Sequence, residues 1–350
     1  MSSRPDVLLV SLGTTRGWKV ADRLFLDQLA EAGAAAEAVS MRMGLAGRLR
    51  RAYPVNDFVE ATAARRAVRA ALAAKRPRAV IFTTVTTVML APRLSVPYAV
   101  RFDTPAALNR PGLRNGVLHL LERRRLAGAK LVLPWSRAAL AALPALATPA
   151  VVLPPPVVPS GPPASERERV ALAYVPDPKA KGLDLLCAAW GRAAVEGARL
   201  QVFGIERERG RAHLARTGVP EPAGVEWRGM VSGVEFRAAL RRARALVAAA
   251  RWEDFGQTPL EALADGALLV TPPSGGGFEA LGLARELAPY LVAPNMTPDA
   301  LAPCIRAAFG LGEEALRSYR ARALELLAPY RPDALVRTLR ERVLPELLGD

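Results

Sequence analysis

"RALVAAARWEDFGQTPLEALADGALLV", Arg244 to Val270, decides how this chain folds. It opens on an apolar run, Ala245–Ala250, that predicts a strand. It turns at Gly256, where a missing side chain permits a tight bend. It then reads as a helix, with Leu260, Leu263 and Ala264 on one face, and closes on a second apolar run, Ala267–Thr271. Strand, glycine turn, helix and strand in sequence make a βαβ unit with parallel strands. Thr258 is placed to cap the helix, with Pro259 first and Glu261 third, the pattern of a capping box. Glu253 and Glu261 therefore stand astride a helix N-terminus, whose N–H groups and dipole suit an anion such as phosphate. Two roles stay open for each acid. Glu261 is a ligand or its own helix's cap, and Glu253 is a ligand or a solvated loop acid.

The same alternation runs along the whole chain. In the first half the expected strands are Asp6–Leu12, Ala35–Met41, Arg78–Thr84, Pro97–Phe102, Lys130–Trp135 and Ala150–Pro154. In the second half they are Val170–Val175, Leu200–Gly204, Val225–Gly229, Ala245–Ala250, Ala267–Thr271 and Tyr290–Ala293. Most are short apolar runs without alternation, as parallel strands covered on both faces should be. The fold class is α/β, with two doubly wound Rossmann-like domains facing a cleft. A chain of 350 residues fits about two domains. Their expected limits are 1–160 and 161–330, joined by the Pro-rich "LPPPVVPSGPPASERER". A C-terminal helical pattern over 331–350 would pack back on the first domain.

Composition narrows the function. Apolar residues make up 51%, which excludes disorder. Of the net charge of +15, nearly all lies in the first half. Residues 1–160 hold 23 Lys and Arg against 9 Asp and Glu, whereas residues 161–350 hold 25 against 24. Only 5 of the 48 basic residues are Lys, so codon bias accounts for the arginines but not for acids missing from one half. An anionic partner for the first half is expected. "SMRMGLAGRLRRAYP" (Ser40–Pro54) reads as an amphipathic helix, with Met41, Leu45 and Leu49 in line and Arg42, Arg48, Arg50 and Arg51 on the other faces. Further basic runs are "AARRAVRAALAAKRPR" and "LERRRLAGAK". Such a pattern suits an anionic membrane surface, or a helix packed on the sheet with solvated arginines. Aromatics are 6% and do not interleave the basic runs, so nucleic acid is not the expected partner. Two cysteines, Cys187 and Cys304, make no disulfide framework or metal cluster and suit a reducing compartment. The N-terminal "MSSRPDVLLVSLG" reads as a strand rather than a signal peptide, and the charge-free stretch Ala138–Ser165 is broken by prolines, among them Pro144, Pro149, Pro154, Pro155 and Pro156. A cytoplasmic protein, peripheral on the inner face of a membrane, is the expected setting.

Two further turns give the helix start company. "SGGGFE" (Ser274–Glu279) again sets glycines before an acid after a strand, with Gly276 and Glu279 as candidates. "PKAKGLDLL" (Pro178–Leu186) puts Lys179 and Lys181 at another helix start after the first strand of its domain. Lysines at a helix N-terminus make a diphosphate site, and neighbouring carboxylates accept hydrogen bonds from sugar hydroxyls. A diphosphate with a polyol is what a nucleotide sugar presents.

Over residues 165–330 the chain resembles the donor half of retaining glycosyltransferases of the GT-B fold, family 4, the glycosyl transferases group 1. "EDFGQTPLEALADG" matches the family's E-x-F-G-x-x-x-x-E-A-x-A-x-G at Glu253, Phe255, Gly256, Glu261, Ala262, Ala264 and Gly266. "KGLDLL" and "GGGFE" match its Lys-Gly and Gly-Gly-x-x-Glu segments, and "VEWRGMVSGVEFRAAL" resembles its nucleobase turn, with Arg228 and Gly229. The resemblance implies that Glu253 contacts the donor sugar, Glu261 the ribose and Lys181 the diphosphate, aided by Lys179. Phe255 and Gly256 would line the sugar pocket. It implies a nucleoside-diphosphate sugar as co-substrate, no cofactor and no metal, and a sugar, lipid-linked or other acceptor. Two departures stand out. "AYVPDPKAKG" lacks the Arg that usually precedes the Lys-Gly. The family's first-domain His is also missing, since His119 and His213 both sit in helical patterns, and "YAVRFDTP" offers Asp103 instead, as a sugar- or acceptor-orienting acid or an N-cap. "SLGTTRG" supplies Gly13 and Gly17 on the acceptor side and is no dinucleotide fingerprint. The expected activity is retaining, metal-independent glycosyl transfer. The alternative is a nucleotide-sugar-binding or scaffold protein that kept the fold without turnover.

Overall fold

A computed structural model describes residues 4–13, 16–41, 55–143, 145–162, 164 and 166–349. The chain divides into two compact units, Met1–Pro156 with Tyr330–Asp350, and Val157–Pro329. The crossing thus falls at Pro156, where the expected limit was 160, and residues 330–350 belong to the first unit.

The first unit holds β1 (Val7–Ser11), β2 (Ala36–Ser40), β3 (Ala79–Phe82), β4 (Tyr98–Phe102) and β5 (Leu131–Pro134), all parallel, in the order β2-β1-β3-β4-β5. Both faces are covered, which is why the strands read as unbroken apolar runs. Val7 and Leu9 face one core, while Leu8 and Val10 face the other. Helix Arg16–Glu31 covers the first face with Phe25 and Leu29. Beside it packs the C-terminal stretch, where Pro332–Thr338, a π-helical turn Leu339–Val343 and Leu344–Leu348 bury Leu335, Leu339, Val343 and Leu347. Helix Val55–Lys75 covers the other face with Val68 and Ala71.

The second unit holds β6 (Glu168–Tyr174), β7 (Arg199–Phe203), β8 (Val225–Gly229), β9 (Ala243–Val247) and β10 (Leu268–Val270). They too are parallel, in the order β10-β9-β6-β7-β8. The strand order reverses between β6 and β9, so this sheet's topological switch point, where ligands bind in open α/β sheets, lies at their carboxyl ends.

Two expected strands are not strands. Ala150–Pro154 reaches β5 only through a bridge at Ala150 and a few backbone bonds, because Pro149, Pro154, Pro155 and Pro156 have no N–H to give. Tyr290–Ala293 starts in the 3₁₀ turn Pro289–Leu291, leaving one bridge, Val292 to Thr271. Of the amphipathic helix expected over Ser40–Pro54, Ser40 ends β2 and residues 42–54 lie outside the described residues. No helix among the described residues is long and apolar enough to cross a membrane.

Candidate active site

The turn after β6 is built on Asp177, whose Oδ1 accepts the N–H groups of Lys179 and Ala180, both at 2.9 Å. The turn ends at Gly182, left-handed at φ 63°, where a Cβ would collide with the carbonyl oxygen of Ala249. The turn therefore lies directly on the chain leaving β9. Arg251 fixes it there. Its N–H donates to Ala180 O at 2.9 Å, and its guanidinium donates to Lys179 O at 3.0 Å and to both Asp184 oxygens at 2.9 and 2.6 Å.

That seating brings Lys181 to Glu253, Nζ to Oε1 at 2.7 Å. Burial pushes the Glu253 carboxyl above its usual range, and the Lys181 ammonium pulls it back. The pair lines a cavity of about 300 Å³ at the switch point, with Tyr174, Leu186, Gln257 and Thr258. Glu253 is held from behind by the second glycine turn. Its N–H donates to Gly275 O at 3.0 Å, Gly276 packs against its carbonyl oxygen, and Glu279 N–H reaches Phe255 O at 3.1 Å. Glu279 opens helix Glu279–Leu287.

The neighbouring helix runs Gln257–Ala264 and is capped by Gly256, left-handed at φ 86°, with the Phe278 ring packed where a Cβ would stand. The expected capping box is therefore absent. The left-handed glycine starts the helix before Thr258, so Thr258 is its second residue and Glu261 its fifth, beyond reach of the free N–H groups. Glu261 is engaged sideways instead. It lies 3.6 Å from Arg237 Nη1 and accepts a 3.4 Å bond from Gln257 Nε2. Arg237 grips the buried Asp265 at 2.6 and 3.0 Å and donates to Val158 O at 2.7 Å. Asp265 also accepts Ser160 N–H at 2.7 Å and its hydroxyl at 3.0 Å. Burial raises the Glu261 carboxyl, and Arg237 lowers it.

Comparison with known proteins gives this arrangement its class. Residues 169–309 match the family model of the glycosyl transferases group 1. The match lies within the second unit, and the chain is a glycosyltransferase. A search of curated proteins by sequence finds no match. Among solved structures the whole chain is similar to the sucrose-phosphate synthase of Thermosynechococcus elongatus, at 16% identity over 98% of this chain and 99% of that one, TM-score 0.77. It is similar to HepE of Anabaena, solved with UDP and glucose, at 12% identity over 97% and 99%, TM-score 0.66. It is also similar to a trehalose-6-phosphate synthase studied for glycosyl transfer with retention, at 12% identity over 95% and 98%, TM-score 0.67. These likenesses establish the two-unit GT-B architecture.

The matched range of this glycosyltransferase contains every donor-side candidate. Lys181, Glu253, Phe255, Gly256, Gly276 and Glu279 are brought together, with Glu261 on the same helix as the cavity wall. Lys179 is exposed and does not line the cavity. Arg228 and Gly229 end β8, the edge strand two places from β6, and line a separate cavity of about 550 Å³ with Glu206, Trp227 and Met230. On the first unit Gly13 donates its N–H to Ser11 Oγ at 3.0 Å, and Gly17 is the second residue of helix Arg16–Glu31. Asp103 accepts the Thr104 N–H at 2.7 Å, and the N-cap of the next helix, Ala106–Asn109, is Pro105, so Asp103 is not that cap. His119 Nε2 lies 2.8 Å from Arg110 O, and His213 is buried beside Asp184. Among the described residues no three His, Cys, Asp or Glu side chains are grouped to hold a metal.

Sequence reasoning missed Arg237, Asp265 and Arg251. One signal was present: Asp265 follows Glu261 by four positions, so two carboxylates share a helix face, which calls for a cation from elsewhere.

Proposed function

We propose that this glycosyltransferase moves a sugar from a nucleoside-diphosphate sugar to an acceptor hydroxyl, with retention of anomeric configuration and without a metal ion. The Lys181–Glu253 pair at the switch point carries this reading. A diphosphate entering the cavity draws the Lys181 ammonium from Glu253, and with the dipole of helix Gln257–Ala264 it stabilises the negative charge that grows as the nucleoside diphosphate leaves. The released Glu253 carboxylate accepts a hydrogen bond from a sugar hydroxyl. Glu261 accepts from the ribose hydroxyls, kept ionised by Arg237. Retention is supported by the family resemblance and by the likeness to the trehalose-6-phosphate synthase. The acceptor is assigned to the first unit, whose surplus of positive charge suits a phosphorylated or lipid-linked acceptor at the inner face of a membrane.

The test is a panel of UDP-, GDP- and ADP-sugars in thermal unfolding, followed by donor hydrolysis and transfer in EDTA. A ligand at about 100 times its dissociation constant adds about 2.7 kcal/mol. Stabilisation by none of them overturns the donor site, and loss of turnover in EDTA, restored by Mg²⁺ or Mn²⁺, overturns the lysine account. Stabilisation without turnover under either condition identifies a nucleotide-sugar-binding protein.

A further inference from the structure

Helix Gly116–Ala127 of the first unit is apolar on both sides. Its inner side buries Leu118 against Met89 and Ala106, and Leu126 beneath β4 and β5. On its outer side, with the turn before it, Leu113, Val117 and Leu120 are 99%, 65% and 67% exposed. At spacings of four and three residues they form one stripe. A lone exposed leucine is ordinary, but three large aliphatic side chains in line on a helix that already buries its other face are not.

The charges around the stripe have one sign. Arg124 continues it by four residues, Arg123 lies beside it, and Arg114 flanks its start, all exposed. None of the three makes an ion pair among the described residues. The one acid between Thr104 and Lys130 is Glu122, which is buried and accepts the Ala106 N–H at 2.7 Å. We propose that the Leu113–Arg124 face is a docking surface for an anionic lipid bilayer. The aliphatic stripe enters the interface, and the guanidinium groups meet the headgroup phosphates. The stripe has no aromatic side chain of the kind that anchors a specific protein partner, and its cationic border complements a lipid surface. The proposal rests on the membrane-linked acceptor reading above and places it on a particular helix.

The experiment is co-sedimentation of the full chain with phosphatidylcholine vesicles and with vesicles of equal parts phosphatidylglycerol and phosphatidylcholine. Binding is expected to the second alone, and to weaken as the Debye length shrinks from ~10 Å at 0.1 M salt to ~3 Å at 1 M. Leu113→Ser with Leu120→Ser should lower the partition coefficient about tenfold, since both side chains leave the interface. Arg123→Gln with Arg124→Gln should lower it by a similar factor, about tenfold. All four side chains are exposed, so the thermal unfolding midpoint and its shift with nucleotide sugar should match wild type. That shift reports the donor site separately, and its failure with intact vesicle binding would touch only the proposed function. Binding to neither vesicle, or equal binding to both, overturns the docking surface and favours a protein partner. Undiminished binding of the leucine pair shows that the basic body acts without this face, which also overturns it.

Discussion

The carboxyl ends of the two sheets handle charge in opposite ways. In the second unit Lys181 and Glu253 meet on a cavity wall, paired yet reachable. In the first unit Arg101, on β4, is 1% exposed and sealed between aromatic rings, its guanidinium carbon 4.5 Å from the Phe25 centroid and 4.7 Å from that of Trp135. Its Nε and Nη1 have no hydrogen-bond partner among the described residues. Burial lowers its pKa to about 10 against the opposing pull of Asp22 and Asp103, so it is charged at neutral pH. Asp22 is also buried and takes the hydroxyl hydrogen of Ser11. Both units thus carry a cation among carboxylates near the same end of the same kind of sheet. Burial alone does not mark a functional charge, since the difference lies in whether a ligand can displace the partner.

The comparison breaks first at Arg101. Arg101→Ala leaves Asp22 buried without its countercharge and opens a gap between two rings, so urea unfolding should show a loss of about 3–5 kcal/mol. Nucleotide-sugar affinity of the folded protein should not change; a parallel loss would mean that Arg101 serves the donor site.

Glu122 tests the sealed side by pH. Burial pushes its carboxyl up to about 7 from 4.5, against the N–H groups of Ala106 and Ala107. Between those values the folded chain holds a proton the unfolded chain has lost. The stability tied to Glu122 is therefore complete below pH 4.5 and drains away as pH rises towards 7, by about 3 kcal/mol at 1.36 kcal/mol per pH unit. Glu122→Gln should flatten that slope, read from urea midpoints at about pH 5 and about pH 8. An unchanged slope would assign the titration to another group.

On the reachable side, Lys181→Ala should lower kcat/KM about a hundredfold, and Lys179→Ala no more than about threefold, because only Lys181 lines the cavity proposed to take the diphosphate. Equal losses would shift the leaving-group role to the whole turn. A more selective effect sharpens the comparison most. Arg237→Gln should raise the donor KM about tenfold for a ribonucleotide sugar and leave its 2′,3′-dideoxy analogue unaffected. If both substrates suffer alike, Arg237 supports the fold rather than Glu261.

Much of this was legible in the chain before it folded. The stretch from Arg244 to Val270 announced strand, turn, helix and strand, and those elements stand where the apolar runs put them. Lys181 and Glu253, 72 positions apart, were expected at one donor site only through the family resemblance of their motifs, with no contact between them foreseen, and the structure joins them directly. What escaped was decided by groups that act at a distance. A left-handed Gly256 moved the helix start and dissolved the capping box at Thr258. Arg237 is invisible as a partner of Asp265 because nothing local distinguishes it from the arginines that surround it. Prolines emptied Ala150–Pro154 of the donors a strand needs, although the apolar pattern asked for one.

Gly182 bears on any attempt to re-engineer donor choice. A single methyl there would meet the Ala249 carbonyl oxygen and lift the whole lysine turn off β9. Libraries that randomise this floor would sample misplaced lysines rather than new specificities. Diversity is better spent on Tyr174, Leu186, Gln257 and Thr258, which line the same cavity with side chains and leave the backbone that seats Lys181 unaltered.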